Sequence, residues 1–183
     1  MKNKLAMFDM DGTLFDTRAV NYNAYKKALQ LVGGDVEYDF FLSNCYGKHY
    51  KDFVPYFTSE VEKVHDLKKD LYSCYLYTAV ENTHLFSIMR SLREKDYYTA
   101  LVTTASKKNV MDLLSCFGRE NEFDLIVTQE NVSKNKPDPE AYLYAMEHFS
   151  IAPENSIIFE DSKTGIAAAE ASGAYLYIVK GFA

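Results

Sequence analysis

The stretch Met7-Phe8-Asp9-Met10-Asp11-Gly12-Thr13-Leu14 decides how the rest of the chain is read. Leu5-Ala6-Met7-Phe8 is a short apolar run behind Lys4, the pattern of a buried strand rather than of a helix. With strand geometry carried through Met10, side chains alternate, so Asp9 and Asp11 point to the same side at the strand's carboxyl end. Two carboxylates in so small a volume stay ionised only if a cation, hydrogen-bond donors or a shared proton offsets their repulsion. Gly12 then lets the backbone leave the strand sharply. Taken alone, Asp-x-Asp-Gly is equally a solvated turn after a strand.

Outward from this stretch, apolar residues take helical spacing over 16–31, with Ala24, Tyr25, Ala28, Leu29 and Leu31 on one side, and stop at Gly33-Gly34. Segments 38–45, 51–57 and 59–77 also read as helices, with Pro55 starting or kinking one of them. No strand alternation shows before Thr83, so this block reads as a small helical lobe inserted after the first strand. Helix and strand then alternate: helix 84–94, strand 97–103, helix 109–117, strand 124–128, helix 141–149, strand 156–159, helix 164–171 and strand 174–179. The expected fold class is α/β, a three-layer Rossmann-like parallel sheet with helices on both faces, built from 1–15 and 84–183, with the all-helical insert at 16–83. Chemistry in such a sheet gathers outside the carboxyl ends of the strands, near a switch in strand order. Asp9, Thr104, the loop holding Lys136, and Asp161 each follow a predicted strand end.

Composition narrows the partners. A chain of 183 residues, 48% hydrophobic and 25% charged, is long enough for one well-buried core and a small appended lobe. Its net charge of -6, with no basic stripe, disfavours nucleic acid. Cys45, Cys74 and Cys116 are odd in number and lack paired metal spacing, so neither disulfides nor zinc are expected. No apolar run reaches the length of a membrane span, and Met1-Lys2-Asn3-Lys4 leads into a strand rather than a signal-peptide core. The expectation is a cytoplasmic protein without a membrane partner, a monomer or weak homodimer. The 15 tyrosines and 12 phenylalanines are expected mainly in core and lobe packing.

Phe-Asp-Met-Asp-Gly-Thr-Leu, with Asp16-Thr17 just beyond, resembles the first motif of the haloacid dehalogenase-like superfamily, in its phosphohydrolase branch with a helical cap. The resemblance implies that Asp9 is a nucleophile that becomes an aspartyl phosphate, with Asp11 as acid and base. Three further stretches are similar to that superfamily's other motifs. Thr104-Ala105-Ser106-Lys107 resembles the beta-phosphoglucomutase-like branch, which implies that the Thr104 hydroxyl and the neighbouring Ala105 amide hold phosphoryl oxygens. Thr103 is the alternative one residue away, and a Ser or Thr here otherwise caps a helix. Lys136-Pro137-Asp138-Pro139 resembles the motif whose lysine neutralises nucleophile and phosphate, against the ordinary reading of a solvated turn. Phe159-Glu160-Asp161-Ser162 resembles the fourth motif; acids there bind metal, although Asp161 or Ser162 also suits a helix cap.

Hard oxygen donors without a His or Cys pattern favour magnesium. On the resemblance, Asp9 and Asp161 are side-chain ligands, Asp11 binds through its backbone carbonyl, and Glu160 binds directly or through water. The insert occupies the place of the family's cap, which chooses the substrate. Within it Gly47-Lys48-His49 is either an exposed loop or a cap loop in which Lys48 meets the substrate's remaining group, and Arg18 and Asn21 are further candidates for the cleft. His49, His65, His84 and His148 show no spacing that demands a ligand or base. The implied activity is magnesium-dependent hydrolysis of a small phosphorylated metabolite. Asp11 argues against a dehalogenase, which needs no acid for a halide. A phosphomutase of the beta-phosphoglucomutase type shares the core residues and is the rival, and a non-catalytic metabolite-binding protein of the same fold is the alternative outside enzymes.

Overall fold

The structure, a computed structural model, describes residues 2–182. It divides into two compact units, Met1–Asp16 with Glu81–Ala183, and Thr17–Val80.

The first unit is built on a five-stranded sheet of β1 (Lys4–Phe8), β4 (Tyr97–Val102), β5 (Leu125–Val127), β6 (Ser156–Glu160) and β7 (Tyr175–Ile178). The spatial order is β5-β4-β1-β6-β7 and every pairing is parallel. The chain therefore grows outward from β1 on one side and then crosses to the other. That reversal makes the carboxyl end of β1, between β4 and β6, the switch point where parallel sheets leave a crevice.

Register decides which side chains face which layer. Met7 lies opposite both Ala100 and Ile158, and these pack with Leu5, Val102 and Val127 under α7 (Glu140–Phe149) and α8 (Lys163–Ser172). Phe8 lies opposite Leu101 and Phe159 on the other face, its ring stacked on Phe159 at 4.6 Å. Helices α5 (Thr83–Arg93) and α6 (Lys107–Cys116) complete this unit. Buried β1 is apolar at four successive positions, as expected for a strand covered on both faces.

Strand geometry does not persist through Met10: β1 ends at Phe8. The chain folds over itself at once, with the N–H groups of Leu14 and Phe15 both donating to the Met10 carbonyl. Asp16 and Val80-Glu81, read as part of the helical block, instead join Phe15 in a short ribbon, β2 (Phe15–Asp16) with β3 (Val80–Glu81). At two residues each they are too short for an alternating pattern to show.

The second unit is helical: α1 (Arg18–Gln30), α2 (Tyr38–Asn44), α3 (Tyr50–Phe53) and α4 (Val61–Tyr72). Its core joins Ala28, Leu29, Val36, Phe41, Phe53, Val54 and Val64, with Tyr22 and Tyr25 packed against it. The Tyr25 ring meets Phe53 at 5.0 Å, and burial pushes its phenol well above the usual range. Pro55 sits in a 3-10 turn, Val54–Tyr56, that follows α3 directly. The single helix expected over 59–77 breaks after Tyr72 into a 3-10 turn, Ser73–Thr78, whose end is held by the Thr78 hydroxyl donating to the Tyr75 carbonyl at 2.7 Å. The aromatic and hydroxyl side chains of this segment lose rotamer freedom or bond locally in a helix, which favours the tighter turn. No helix among the described residues is long and apolar enough to cross a membrane.

Candidate active site

The carboxyl ends of β1, β4 and β6 gather the polar residues of the first unit. Asp9 follows β1 directly and is nearly buried; its N–H donates to the Phe159 carbonyl at 3.0 Å, which ties it to β6. Lys136 reaches it from the loop between β5 and α7. The ammonium donates to Asp9 Oδ1 at 2.7 Å, to Glu160 Oε1 at 2.8 Å and to the Val102 carbonyl at 3.0 Å. The ring of Tyr142 lies 4.9 Å beneath it. All three donors of the ammonium thus have acceptors, which is what an ammonium on a buried side chain requires.

Glu160, the last residue of β6, is wholly buried. Its Oε1 accepts from Lys136 and from the Tyr142 hydroxyl, the latter at 3.3 Å. Its Oε2 accepts from the N–H groups of Asp161 and Ser162, at 2.7 and 2.8 Å, and from the Ser162 hydroxyl at 3.1 Å. Any metal-ligand role for Glu160 therefore competes with five donors. The Ser162 hydroxyl in turn accepts from the Gly165 N–H and caps α8, so of the two candidate caps it is Ser162 that serves.

Asp161 is half-buried, and its Oδ1 accepts from the wholly buried Thr13 hydroxyl at 2.8 Å. Carboxylate oxygens of Asp9, Glu160 and Asp161 lie within 4.8 Å of one another. Burial raises the Asp9 carboxyl well above the usual carboxylate range; Lys136 lowers it, while Glu160 and Asp11 push with burial. Asp161 is raised likewise, by burial first and by Glu160 and Asp11 as neighbours. Burial also opposes the Lys136 charge, but Asp9, Tyr142 and Glu160 outweigh it, and Lys136 stays an ammonium. Three carboxylates, those of Asp9, Glu160 and Asp161, thus share this volume with one ammonium, and Asp11 adds its charge to Asp9 and Asp161. The excess negative charge, hard oxygen donors and absence of nitrogen or sulfur donors in the group fit a divalent cation of the magnesium class. Asp9 Oδ2 accepts no hydrogen bond from the described residues.

Two glycines make room for this cluster. Gly12 has φ of 89°, the left-handed region, and a methyl group built on it would strike the Asp161 carboxylate. Gly165, in the first turn of α8, leaves the space that the Glu160 carboxylate fills. Gly12→Ala is expected to cost about 1–3 kcal/mol through backbone strain and to displace Asp161. A lower midpoint in urea unfolding together with weaker binding of a divalent cation is the expected result; a variant matching wild type in both would contradict it.

At the end of β4, Thr104 is exposed while Thr103 is buried, its Oγ1 accepting from the Ala105 N–H at 3.1 Å. The amide expected to meet phosphate is thus engaged by Thr103, whose hydroxyl shapes the turn, and Thr104 presents the accessible hydroxyl. Ser106 caps α6. Asp11 is half-buried two residues beyond Asp9. Lys48 belongs to the second unit, in the exposed turn after α2, where its N–H donates to the Cys45 carbonyl. Asn21, also in that unit, turns its amide back on Thr17. Sequence reasoning passed over Thr13 and Tyr142. Thr13 stood in the opening motif with no role attached; Tyr142 sits in an apolar helix and carries no local signal of its contact with Glu160.

A parallel sheet with buried Asp9 and Lys136 at its switch point, beside the Glu160 and Asp161 carboxylates, places a charged cluster where such sheets carry their chemistry. A model of the haloacid dehalogenase-like hydrolase family matches residues 6–179, and the chain belongs to that family. It is similar to the phosphorylated carbohydrates phosphatase of Thermotoga maritima, 29% identical over 177 residues that cover 91% of this chain and 80% of that protein. It is also similar to the fructose-1-phosphate phosphatase of Escherichia coli, 26% identical over 175 residues and 91% of each chain. The crystal structure of CbbY from Rhodobacter sphaeroides in complex with phosphate shares its fold, with a TM-score of 0.85 at 22% identity over 98% of this chain and 87% of that one.

Proposed function

We propose that this phosphoric monoester hydrolase removes phosphate from a small phosphorylated sugar in two steps, through an aspartyl phosphate on Asp9. The observation that carries the reading is the Lys136 ammonium held between Asp9 and Glu160 at 2.7 and 2.8 Å. A cation so placed lets a carboxylate face a phosphate dianion, and the pocket around it is too anionic to receive phosphate without one. The sugar class is supported by the two similar phosphatases, both named for phosphorylated carbohydrates.

In the first step Asp9 Oδ2 attacks phosphorus as the bond to the leaving oxygen breaks, and Asp11 gives that oxygen its proton. In the second, Asp11 takes a proton from the attacking water, the phosphorus–Oδ2 bond breaks, and the Asp9 carboxylate returns with release of phosphate. Lys136 and the Thr104 hydroxyl hold equatorial phosphoryl oxygens, with the Ala105 amide joining them by exchanging Thr103 for phosphate. A magnesium ion, held by the Asp9 and Asp161 side chains and the Asp11 carbonyl, would lower the repulsion between carboxylate and phosphate. Glu160 orients Lys136 and the start of α8 around that site. Substrate choice is assigned to the helical unit as a cap, with Lys48 as its candidate cation.

The test is phosphate release from a panel of sugar phosphates, phosphoglycolate and nucleotides, with magnesium and with chelator. Release from a few sugar phosphates that chelator stops and magnesium restores is the expected result. Release that chelator leaves unchanged would remove the metal from the reading. No release, with a phosphoryl group retained on Asp9, would replace hydrolysis by phosphomutase chemistry.

A further inference from the structure

A chain of hydrogen bonds leads to Asp161 from far away in the sequence, at Glu81-Asn82, where the chain re-enters the first unit. Glu81 accepts a two-point fork from Arg119, at 2.7 Å from Nε and 2.9 Å from Nη2, and the guanidinium lies over the Phe86 ring. A paired, bidentate arginine of this kind holds the adjoining backbone in place. Asn82 then makes three connections besides accepting from the Phe86 N–H at its carbonyl. Its N–H donates to the Leu14 carbonyl at 2.8 Å, its Nδ2 donates to the Thr13 carbonyl at 3.2 Å, and its Oδ1 accepts from the Leu85 N–H at 3.1 Å, capping α5. One amide side chain is therefore both a helix cap and a strut on the loop that follows Asp11. Thr13, which hangs on that strut, is the residue whose hydroxyl donates to Asp161 Oδ1.

We infer that Asn82 is a positioning residue for Asp161, acting through Thr13. The strut sets where the Thr13 hydroxyl lies, and the hydroxyl holds one oxygen of Asp161 so that the other is presented to a divalent cation. Hydrogen bonds onto a ligating carboxylate fix its orientation and commonly set metal affinity. This inference rests on the metal-ligand role proposed above for Asp161.

Ser and Asp cap helices about as well as Asn, but neither carries an amide donor for the Thr13 carbonyl. Asn82→Ser and Asn82→Asp thus keep the cap of α5 and remove the strut. Magnesium dissociation constants from calorimetric titration of the purified protein, with unfolding midpoints in chelator, separate the two effects. In both variants the metal-free midpoint is expected to stay near wild type, and magnesium binding to weaken about three- to tenfold, the factor carried by one ordinary hydrogen bond. Thr13→Val is expected to weaken binding at least as much, and Thr13→Val/Asn82→Ser no further than Thr13→Val alone, because one relay is broken only once. Asn82→Ala, losing cap and strut together, shows how much helix stability alone contributes to the midpoint. Magnesium affinity in Asn82→Ser equal to wild type, or additive losses in the double variant, would overturn the inference while leaving the proposed function standing. A wild-type protein that binds no magnesium overturns both.

Discussion

Asp9→Asn is expected to lower phosphate release by a factor on the order of 10⁴ or more while leaving the unfolding midpoint close to wild type. The amide lacks the charge and nucleophilicity of the carboxylate, so no phosphoryl–enzyme bond forms. The fold tolerates the change because Lys136 keeps Glu160 Oε1 at 2.8 Å and the Val102 carbonyl at 3.0 Å as acceptors. Removing a buried carboxylate also relieves the desolvation that, with Glu160 and Asp11 as neighbours, holds the Asp9 carboxyl high. Phosphate release and thermal unfolding of the same preparation check both halves. A well-purified Asp9→Asn protein with even a few per cent of wild-type activity would refute the nucleophile assignment.

Lys136→Met is expected to damage activity and stability together. Without the ammonium, Asp9 and Glu160 are left in a buried site with no compensating charge, and breaking such a pair from one side costs about 3–5 kcal/mol. For a chain of this size that is roughly 6–20 °C in unfolding temperature. The sign of the pH dependence follows. With the cation that lowers it gone, burial holds the Asp9 carboxyl above its unfolded value, so it favours folding below the unfolded pKa and ceases to as pH rises through the folded one. The deficit relative to wild type should therefore shrink as pH falls through the acid range. Lys136→Met/Glu160→Gln should recover much of the stability and none of the activity. Denaturant unfolding between acid and neutral pH, with turnover at neutral pH, measures each part; equal stability of Lys136→Met and wild type would remove the ion cluster from the fold's support.

These two experiments bear on different layers of what was readable. The alternation of strands and helices after Thr83 was legible because each element carries its own apolar spacing, and the parallel sheet follows from that alternation. Boundaries were less legible. β1 stops at Phe8 because the Met10 carbonyl accepts from both Leu14 and Phe15, a closure that no residue spacing announces. The helix expected over 59–77 breaks after Tyr72, where local hydrogen bonding prevails over an apolar pattern that continues.

The sequence by itself determined the α/β class and the placing of Asp9, Thr104, the Lys136 loop and Asp161 after strand ends. These are consequences of local periodicity and of chain connectivity. Only the tertiary structure decided which atom each of these residues meets. Lys136 lies 127 positions from Asp9, and its ammonium finds Asp9, Glu160 and a β4 carbonyl because the sheet brings three strand ends together. Glu160 turned out to have both oxygens engaged, Thr103 to hold the Ala105 amide, and Asn82 to reach Asp161 through Thr13. Hydrogen-bond directions and burial are set by how distant segments pack, and a carboxylate in a sequence carries no mark of which of its oxygens the fold will occupy.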